Sequence, residues 1–180
     1  DLFIGRPWVI SPTAESEAAA ITQIENLAVE LGAAPVKVTA EEHDRAVALV
    51  SHLPQAVASL TAAQLIGANH EDVSLAGQGI RDTIRIAASD PELWVQILSA
   101  NASEVSALLE NLQVDLAKLV DALREPGTES GQAIIREVLN RGNLGSALLP
   151  GKHGAKPTQY AVITVIVDDK PGELARLLVE

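Results

Sequence analysis

The residues whose types and spacing best suit chemistry lie on a helix predicted from about residue 40 to residue 66. Its polar row has spacings of four, three and four residues, through Asp44, Ala48, Ser51 and Gln55. Residues at this spacing share one face of a helix. The other positions are apolar almost all round, which predicts a buried helix. The row must therefore satisfy neighbouring hydrogen bonds or line a wet pocket, and His52, one step off it, could join either arrangement.

A second candidate is the arginine pair Arg81 and Arg85, one helical turn apart with Asp82 between them. Arg85 is followed by Ile-Ala-Ala, so its guanidinium emerges from an apolar patch. The planar guanidinium fork matches a carboxylate in bidentate fashion, which indicates an anion site. A salt bridge to Asp82 or to another acid within the fold explains the same residues, and residue types alone do not separate the two.

Other chemistries have little support in the sequence. His43 and His52 are nine residues apart and face opposite ways on a helix, so they cannot share a metal ion, and no metal-ligand cluster occurs. Gly77-Gln78-Gly79 follows no predicted strand and lacks the third glycine of a dinucleotide loop. We expect the later basic residues to be a solvated linker and not a phosphate site: Arg136, Arg141, Lys152, His153 and Lys156.

The composition narrows the class of protein. A formal charge of -11 over 180 residues argues against nucleic acid and anionic membranes as partners. We expect that no apolar run approaches the roughly 20 residues that span a bilayer. The absence of cysteine excludes disulfides and thiolate chemistry and fits a cytoplasmic location. A chain that is 47% hydrophobic but 2% aromatic favours helix-on-helix packing.

The first 40 residues predict a β-α-β unit. Residues 6–11 read as a buried strand, residues 15–31 as a helix that Gly32 ends, and residues 35–39 as a half-exposed strand. Strand–helix–strand order is the repeating unit of α/β domains. Two strands are too few for a domain, so we expect this to be the tail of a larger one.

Three helices are predicted after this unit. The first begins at a Thr39–Glu42 capping box and is kinked at Pro54. A shorter one covers roughly residues 73–88, and a long one runs from Asp90-Pro91 to about Leu123. The long helix has a coiled-coil-like seam of Val105, Leu109, Leu112, Leu116, Leu119 and Leu123. This seam packs either partly against a second subunit or wholly inside its own chain.

Beyond residue 125 the sequence predicts a linker and an incomplete domain. Residues 125–131 read as linker, residues 132–140 as a short helix, and residues 142–156 as a Gly-rich stretch. Residues 159–167 then form a β-branched strand, followed by a turn and the start of a helix. A strand and a helical turn cannot bury a core alone, so this segment should begin something larger.

Three runs together resemble the second half of prephenate/arogenate dehydrogenases: residues 2–12 (LFIGRPWVISP), 41–55 (EEHDRAVALVSHLPQ) and 84–94 (IRIAASDPELW). The resemblance covers roughly residues 1–125. It implies oxidative decarboxylation of prephenate or arogenate with NAD or NADP on the route to tyrosine, and a homodimer. It also implies that the catalytic histidine and most of the cofactor site lie upstream, so that this chain alone is inactive.

The same resemblance implies roles for individual residues. Arg85 would anchor a substrate carboxylate, and Ser51, His52 and Gln55 would line the pocket. Supporting positions outside direct substrate contact would be Asp82, which orients Arg85, and Asp44. Trp94 should pack and not react. Some relatives carry a histidine where Gln55 stands; an amide can donate a hydrogen bond there but cannot become cationic.

Residues 160–178 (YAVITVIVDDKPGELARLL) resemble the first strand and helix of an ACT domain, which implies regulation by an amino acid, most naturally tyrosine. An unrelated β-α connection is the alternative. The expected fold is thus mainly α: residues 1–40 as the tail of a Rossmann-type nucleotide-binding domain, 41–125 as a helical substrate and dimerisation domain, 126–157 as linker and 158–180 as a partial ACT-like domain. A non-catalytic dimerisation module with an amino-acid-sensing tail is the rival function.

Overall fold

The computed structural model of the protein describes residues 2–149, and this part is mainly helical. The chain divides into two compact units, residues 1–143 and 144–180. The predicted strand and ACT-like segment of residues 158–180, and the basic residues after 150, lie outside the described residues. The secondary structure below therefore belongs almost wholly to the first unit.

The chain opens with the predicted β-α-β unit. Strand β1 (Pro7–Ile10) and strand β2 (Ala34–Lys37) pair in parallel, with helix α1 (Ala18–Glu30) as the crossover. Helix α1 ends as predicted at Gly32, whose φ of 78° lies in the left-handed region that favours glycine. The β-α-β prediction is confirmed.

The next helical run comprises α2 (Ala40–Val47), a π-helical turn (Ala48–His52) and α3 (Leu53–Ala63). The predicted capping box is present: Glu42 N–H donates to Thr39 Oγ1 at 3.1 Å, and Thr39 N–H donates to Glu42 Oε2 at 2.8 Å. The bond from the Thr39 backbone, then that from its hydroxyl, holds the pKa of Glu42 below its ordinary value.

The break in this run is a π turn just ahead of the proline that was expected to kink it. Leu53 N–H donates to the carbonyl of Ala48, five residues earlier. In a regular α-helix the ring of Pro54 would clash with the carbonyl four residues before it, and the wider turn relieves that clash.

This continuous run, Ala40–Ala63, is long and apolar enough by length and composition to cross a membrane, with a mean hydropathy of 1.3. The expectation that no apolar run approaches this length was therefore wrong. The same test is passed by core helices of globular proteins. Within the single chain only 22% of the apolar window is buried, so much of its surface is left for other contacts.

The prediction of one helix over residues 73–88 was wrong, because this region contains three short helical elements. They are α4 (His70–Ser74), α5 (Gln78–Ile84) and a 3₁₀ turn (Arg85–Ala87). Gly77, with extended backbone geometry, separates α4 from α5. A glycine favours such a break because it pays a large entropic cost inside a helix.

The prediction of a single long helix from Pro91 to Leu123 was also wrong, because two helices occupy this segment. These are α6 (Pro91–Ala100), with Asp90 as the expected N-cap, and α7 (Ala102–Arg124). The joint is Asn101, whose φ of −117° and ψ of 31° are not helical. Its side chain is buried against the first helical run, which fixes the joint.

The solvent exposure of the predicted seam increases along α7. Val105, at the start of α7, is 5% exposed and packs within the chain. Further along, Leu112 is 38% exposed, Leu116 57% and Leu123 56%. The first part of the seam therefore packs inside its own chain, and the later part presents an uncovered apolar face.

Helix α8 (Glu129–Ala147) is longer than the short helix predicted for residues 132–140 and includes Gly142 and Gly145. Part of its stability comes from an ion pair to α7: Arg141 donates to both carboxylate oxygens of Asp115, at 3.1 and 2.8 Å. Arg141 was expected in a solvated linker; it instead lies on a helix, with its side chain 54% exposed and paired to Asp115. Each glycine disfavours the helix by about 1 kcal/mol, a cost that such tertiary contacts offset.

Candidate functional site

The buried face of the first helical run carries a polar pair. Ala48, His52, Gln55 and Ala58 are all buried, with His52 9% and Gln55 4% exposed. The predicted row contained Ser51, but Ser51 lies on the exposed side of the single chain. The residue that joins Gln55 in the buried row is therefore His52, four positions after Ala48 across the π turn.

Gln55 ties this row to the segment that begins with Arg85. Its Nε2 donates to Ser89 Oγ at 2.7 Å and makes a longer contact of 3.4 Å with Ser59 Oγ. Ser89 follows the 3₁₀ turn that Arg85 opens. A buried amide that is hydrogen-bonded to this segment restricts where the turn can lie.

His52 is held by a residue that the sequence reasoning missed. Asn101 Nδ2 lies 3.3 Å from His52 Nδ1 and 2.7 Å from the backbone oxygen of Asp44. Asn101 stands inside a segment with a strong helical pattern, so its role as a joint had no periodic signal. The available hint was an asparagine, a poor helix former, inside the long predicted helix.

Trp94 packs against the other side of the histidine, as expected of a packing residue. The rings of His52 and Trp94 meet edge to face, with centroids 6.1 Å apart and planes at 83°. Such a contact favours one ring orientation. Helix α6 thereby contributes the wall of the site that faces the buried row.

Arg85 is exposed, and its guanidinium forms no hydrogen bond or ion pair within residues 2–149, although its backbone N–H donates to the Arg81 carbonyl. The expected support from Asp82 is absent from this part, because that carboxylate accepts from Gln78 Nε2 at 2.9 Å. Asp44 contacts His43 Nδ1 through its carboxylate at 3.0 Å, and only its backbone oxygen reaches the site, through Asn101. Within the described residues, neither acid orients Arg85.

A hollow of about 630 Å³ lies beside Arg81, between the end of α3 and helices α4 and α5. It is mostly apolar, and Arg85 is not among its lining residues. In the described part of the chain, no group of three or more His, Asp or Glu side chains could hold a metal ion.

The site thus offers recognition groups. The Arg85 guanidinium, which has no acid partner in the described part of the chain, can bind a carboxylate, and the buried imidazole and amide can orient a polar ligand. These groups stand on a helical domain that follows a parallel β-α-β unit. That combination defines the class of protein: a β-α-β unit joined to a helical ligand-recognition domain.

Comparison with known proteins gives this class a family. Residues 39–137 match the model of the prephenate dehydrogenase dimerization domain, which is more than half of the chain. The chain therefore belongs to the prephenate dehydrogenase family.

Two curated relatives and two solved structures agree with this. A probable prephenate dehydrogenase, NovF, of Streptomyces niveus is 39% identical over 98% of this chain and 51% of its own length. The cyclohexadienyl dehydrogenase of Zymomonas mobilis is 35% identical over 68% of this chain and 43% of its own. The chain thus spans about half the length of these relatives.

Prephenate dehydrogenase of Aquifex aeolicus, solved with hydroxyphenyl propionate and NAD+, is 26% identical with a TM-score of 0.66, covering 79% of this chain and 51% of that one. Synechocystis arogenate dehydrogenase, at 23% identity and a TM-score of 0.63, covers 80% of this chain and 54% of its own and shares the fold.

Proposed function

We propose that this chain is the substrate-binding and dimer-forming part of an NAD(P)-dependent prephenate or arogenate dehydrogenase, an enzyme of tyrosine biosynthesis. The observation that carries the proposal is the family match over residues 39–137, which includes the buried His52–Gln55 pair and Arg85. The Aquifex relative, solved with hydroxyphenyl propionate and NAD+, supports a ligand of this chemistry.

Arg85 is the anchor for a substrate carboxylate in this proposal. Its guanidinium has no internal acid partner within residues 2–149, and the segment it opens is tied to buried Gln55 through Ser89. A charge on a fixed segment can hold an acid with little loss of side-chain freedom. Ser51, His52 and Gln55 complete the pocket, while Asp82 and Asp44 support it only in the full-length protein.

The nicotinamide of the cofactor accepts the hydride when it is bound. The parallel strands β1 and β2 fit the edge of a nucleotide-binding domain. The Gly77–Gly79 segment does not fit a phosphate-binding loop, because it starts a helix that no strand directly precedes. The part upstream would hold NAD or NADP and supply the catalytic histidine. Residues of this chain bind and orient the substrate, and positioning of this kind supplies much of an enzymatic rate gain.

A homodimer follows from the uncovered face of α7. A run of half-exposed leucines on one helix face would cost solubility in a monomer, and the matched family model is a dimerization domain. Apolar residues of the Ala40–Ala63 run, such as Val50 at 65%, are also exposed in the single chain. The proposal includes a cytoplasmic enzyme.

The proposed domains are residues 1–40 as the end of a Rossmann-type nucleotide-binding domain, 41–125 as the helical domain, 126–157 as linker and 158–180 as the start of an ACT-like domain. Tyrosine is the proposed regulatory ligand of that last domain. Its support is the sequence resemblance of residues 160–178, which lie outside the described residues.

Substitution of Arg85 in the full-length protein tests the function. We expect Arg85→Ala to raise KM for prephenate or arogenate about 100-fold, because a charged bidentate contact is lost. KM for the cofactor should stay the same. Arg81→Ala removes the same charge one helical turn away and is the matched control. An unchanged KM for both substrates in Arg85→Ala would contradict the proposed site.

A further inference from the structure

We propose that Asn101 sets the tautomer of His52, so that the ring presents an Nε2–H donor to an oxygen of the substrate. Asn101 is a positioning residue in this scheme, and His52 makes the contact. The substrate-binding half of the inference rests on the proposed function, whereas the tautomer does not.

The position of Asn101 makes it suited to this task. It forms the joint between α6 and α7, it is 8% exposed, and its side chain reaches back to the first helical run. Its Nδ2 lies 2.7 Å from the backbone oxygen of Asp44 and 3.3 Å from His52 Nδ1. One nitrogen therefore contacts both a carbonyl and the imidazole.

The carbonyl settles which way the amide faces. A backbone oxygen can only accept, so the atom 2.7 Å from it must be the amide nitrogen and not the amide oxygen. That nitrogen has two hydrogens, one for the Asp44 oxygen and one for His52. His52 Nδ1 is then the acceptor, which leaves the proton of the neutral ring on Nε2.

The remaining contacts hold the ring with Nε2 available. Trp94 meets the imidazole edge to face at 6.1 Å, and His52 lies on the π turn of a buried face. Nε2 forms no hydrogen bond within residues 2–149. No buried side-chain nitrogen or oxygen in that part lacks a partner, so Nε2 retains contact with solvent. An N–H in this situation would donate to a carboxylate or carbonyl oxygen of a ligand.

The first arm of the test is spectroscopic. Full-length protein with ¹³C,¹⁵N-labelled histidine is studied by NMR at neutral pH, and His52→Gln identifies the His52 signals. We expect the shifts of a neutral Nε2–H ring. Asn101→Asp should move the proton to Nδ1, because a carboxylate can accept but cannot donate. Asn111→Asp makes the same change at an exposed site of α7 and should leave the ring unchanged.

The second arm concerns the ligand. Addition of hydroxyphenyl propionate should shift the Nε2 signal of the wild type. Replacement of His52 by Phe should raise the substrate KM about tenfold, as loss of one hydrogen bond to a charged group predicts. His52→Gln should largely restore it, since a glutamine amide reaches the Nε2 position, and His52→Asn should not. The turnover number should change little in comparison.

Several results would overturn the inference. A wild-type His52 ring protonated on Nδ1 would overturn it. So would an Asn101→Asp protein in which the His52 tautomer is unchanged. An unchanged KM in His52→Phe would remove the donor role. A full-length protein with no dehydrogenase turnover but with the expected tautomers would count against the proposed function alone.

Discussion

At the scale of single residues, recognition depends on a few polar groups inside an apolar helix surface. The buried amide of Gln55 needs a partner, and Ser89 supplies it at 2.7 Å. Because Ser89 follows the turn opened by Arg85, one bond links the interior of the domain to its proposed anchor. A buried polar group that loses its partner costs about 1–3 kcal/mol, so this link also contributes to stability.

Loss of that partner should be visible locally. Ser89→Ala leaves the Gln55 amide with only the 3.4 Å contact to Ser59, and we expect about 1 kcal/mol of local destabilisation. Hydrogen–deuterium exchange of peptides from Leu53–Ala63 should be several-fold faster in full-length protein. Ser106→Ala removes a hydroxyl that bonds only within its own helix and is the control. Equal exchange in the two variants would show that the link carries no stability.

At the scale of elements, the joints between helices place the site. The π turn before Pro54 and the break at Asn101 together bring His52 beneath α6. Farther along, the Arg141–Asp115 pair joins α8 to the middle of α7. The hydrogen bonds from Arg141 lower the pKa of Asp115, and those to Asp115 raise the pKa of Arg141.

This ion pair predicts a pH dependence on the acid side. A carboxylate with a lowered folded-state pKa contributes stability that is fully present above its ordinary value of 3.8 and is lost as pH falls through the lowered value. Asp115→Asn should therefore lower the unfolding temperature at pH 6 and have less effect near pH 3. Asp121→Asn, which breaks a pair within α7 only, is the control. An equal effect of Asp115→Asn at both pH values would refute this.

Sequence periodicity predicted the β-α-β unit, the capping box and the start of α6, because each depends on local spacing and on side chains that satisfy nearby backbone groups. It could not place Asn101 or the π turn. The joint at Asn101 depends on a contact between residues 49 positions apart, which no local pattern records. Pro54 indicated a break in the helix but not the geometry of that break. The predicted row contained Ser51 where the buried row contains His52, because a one-residue π insertion rotates every later side chain.

At the scale of the whole molecule, the exposed part of the α7 seam requires a partner surface. Within residues 2–149, Leu116 and Leu123 are more than half exposed although they continue a seam that is buried at its start. An apolar face of this kind is expected at the contact between two copies of the chain.

One charge introduced on this face of α7 should dissociate the dimer. Leu116→Glu places a carboxylate at a position that is 57% exposed in one chain, and we expect it to be buried in the dimer. The full-length protein should then sediment as a monomer at micromolar concentration. Ile66→Glu, at an 85% exposed position in a turn, should remain dimeric. A dimeric Leu116→Glu protein would exclude this part of α7 from the interface.

The most direct test of the central claim is an assay of the full-length protein. Prephenate and arogenate are each supplied with NAD and with NADP, with and without tyrosine, and cofactor reduction is followed by absorbance. We predict reduction with at least one substrate and cofactor pair, abolished at low substrate concentration by Arg85→Ala, and no turnover by the 180-residue chain alone. Absence of reduction in every combination would contradict the dehydrogenase assignment and favour a non-catalytic dimerisation module.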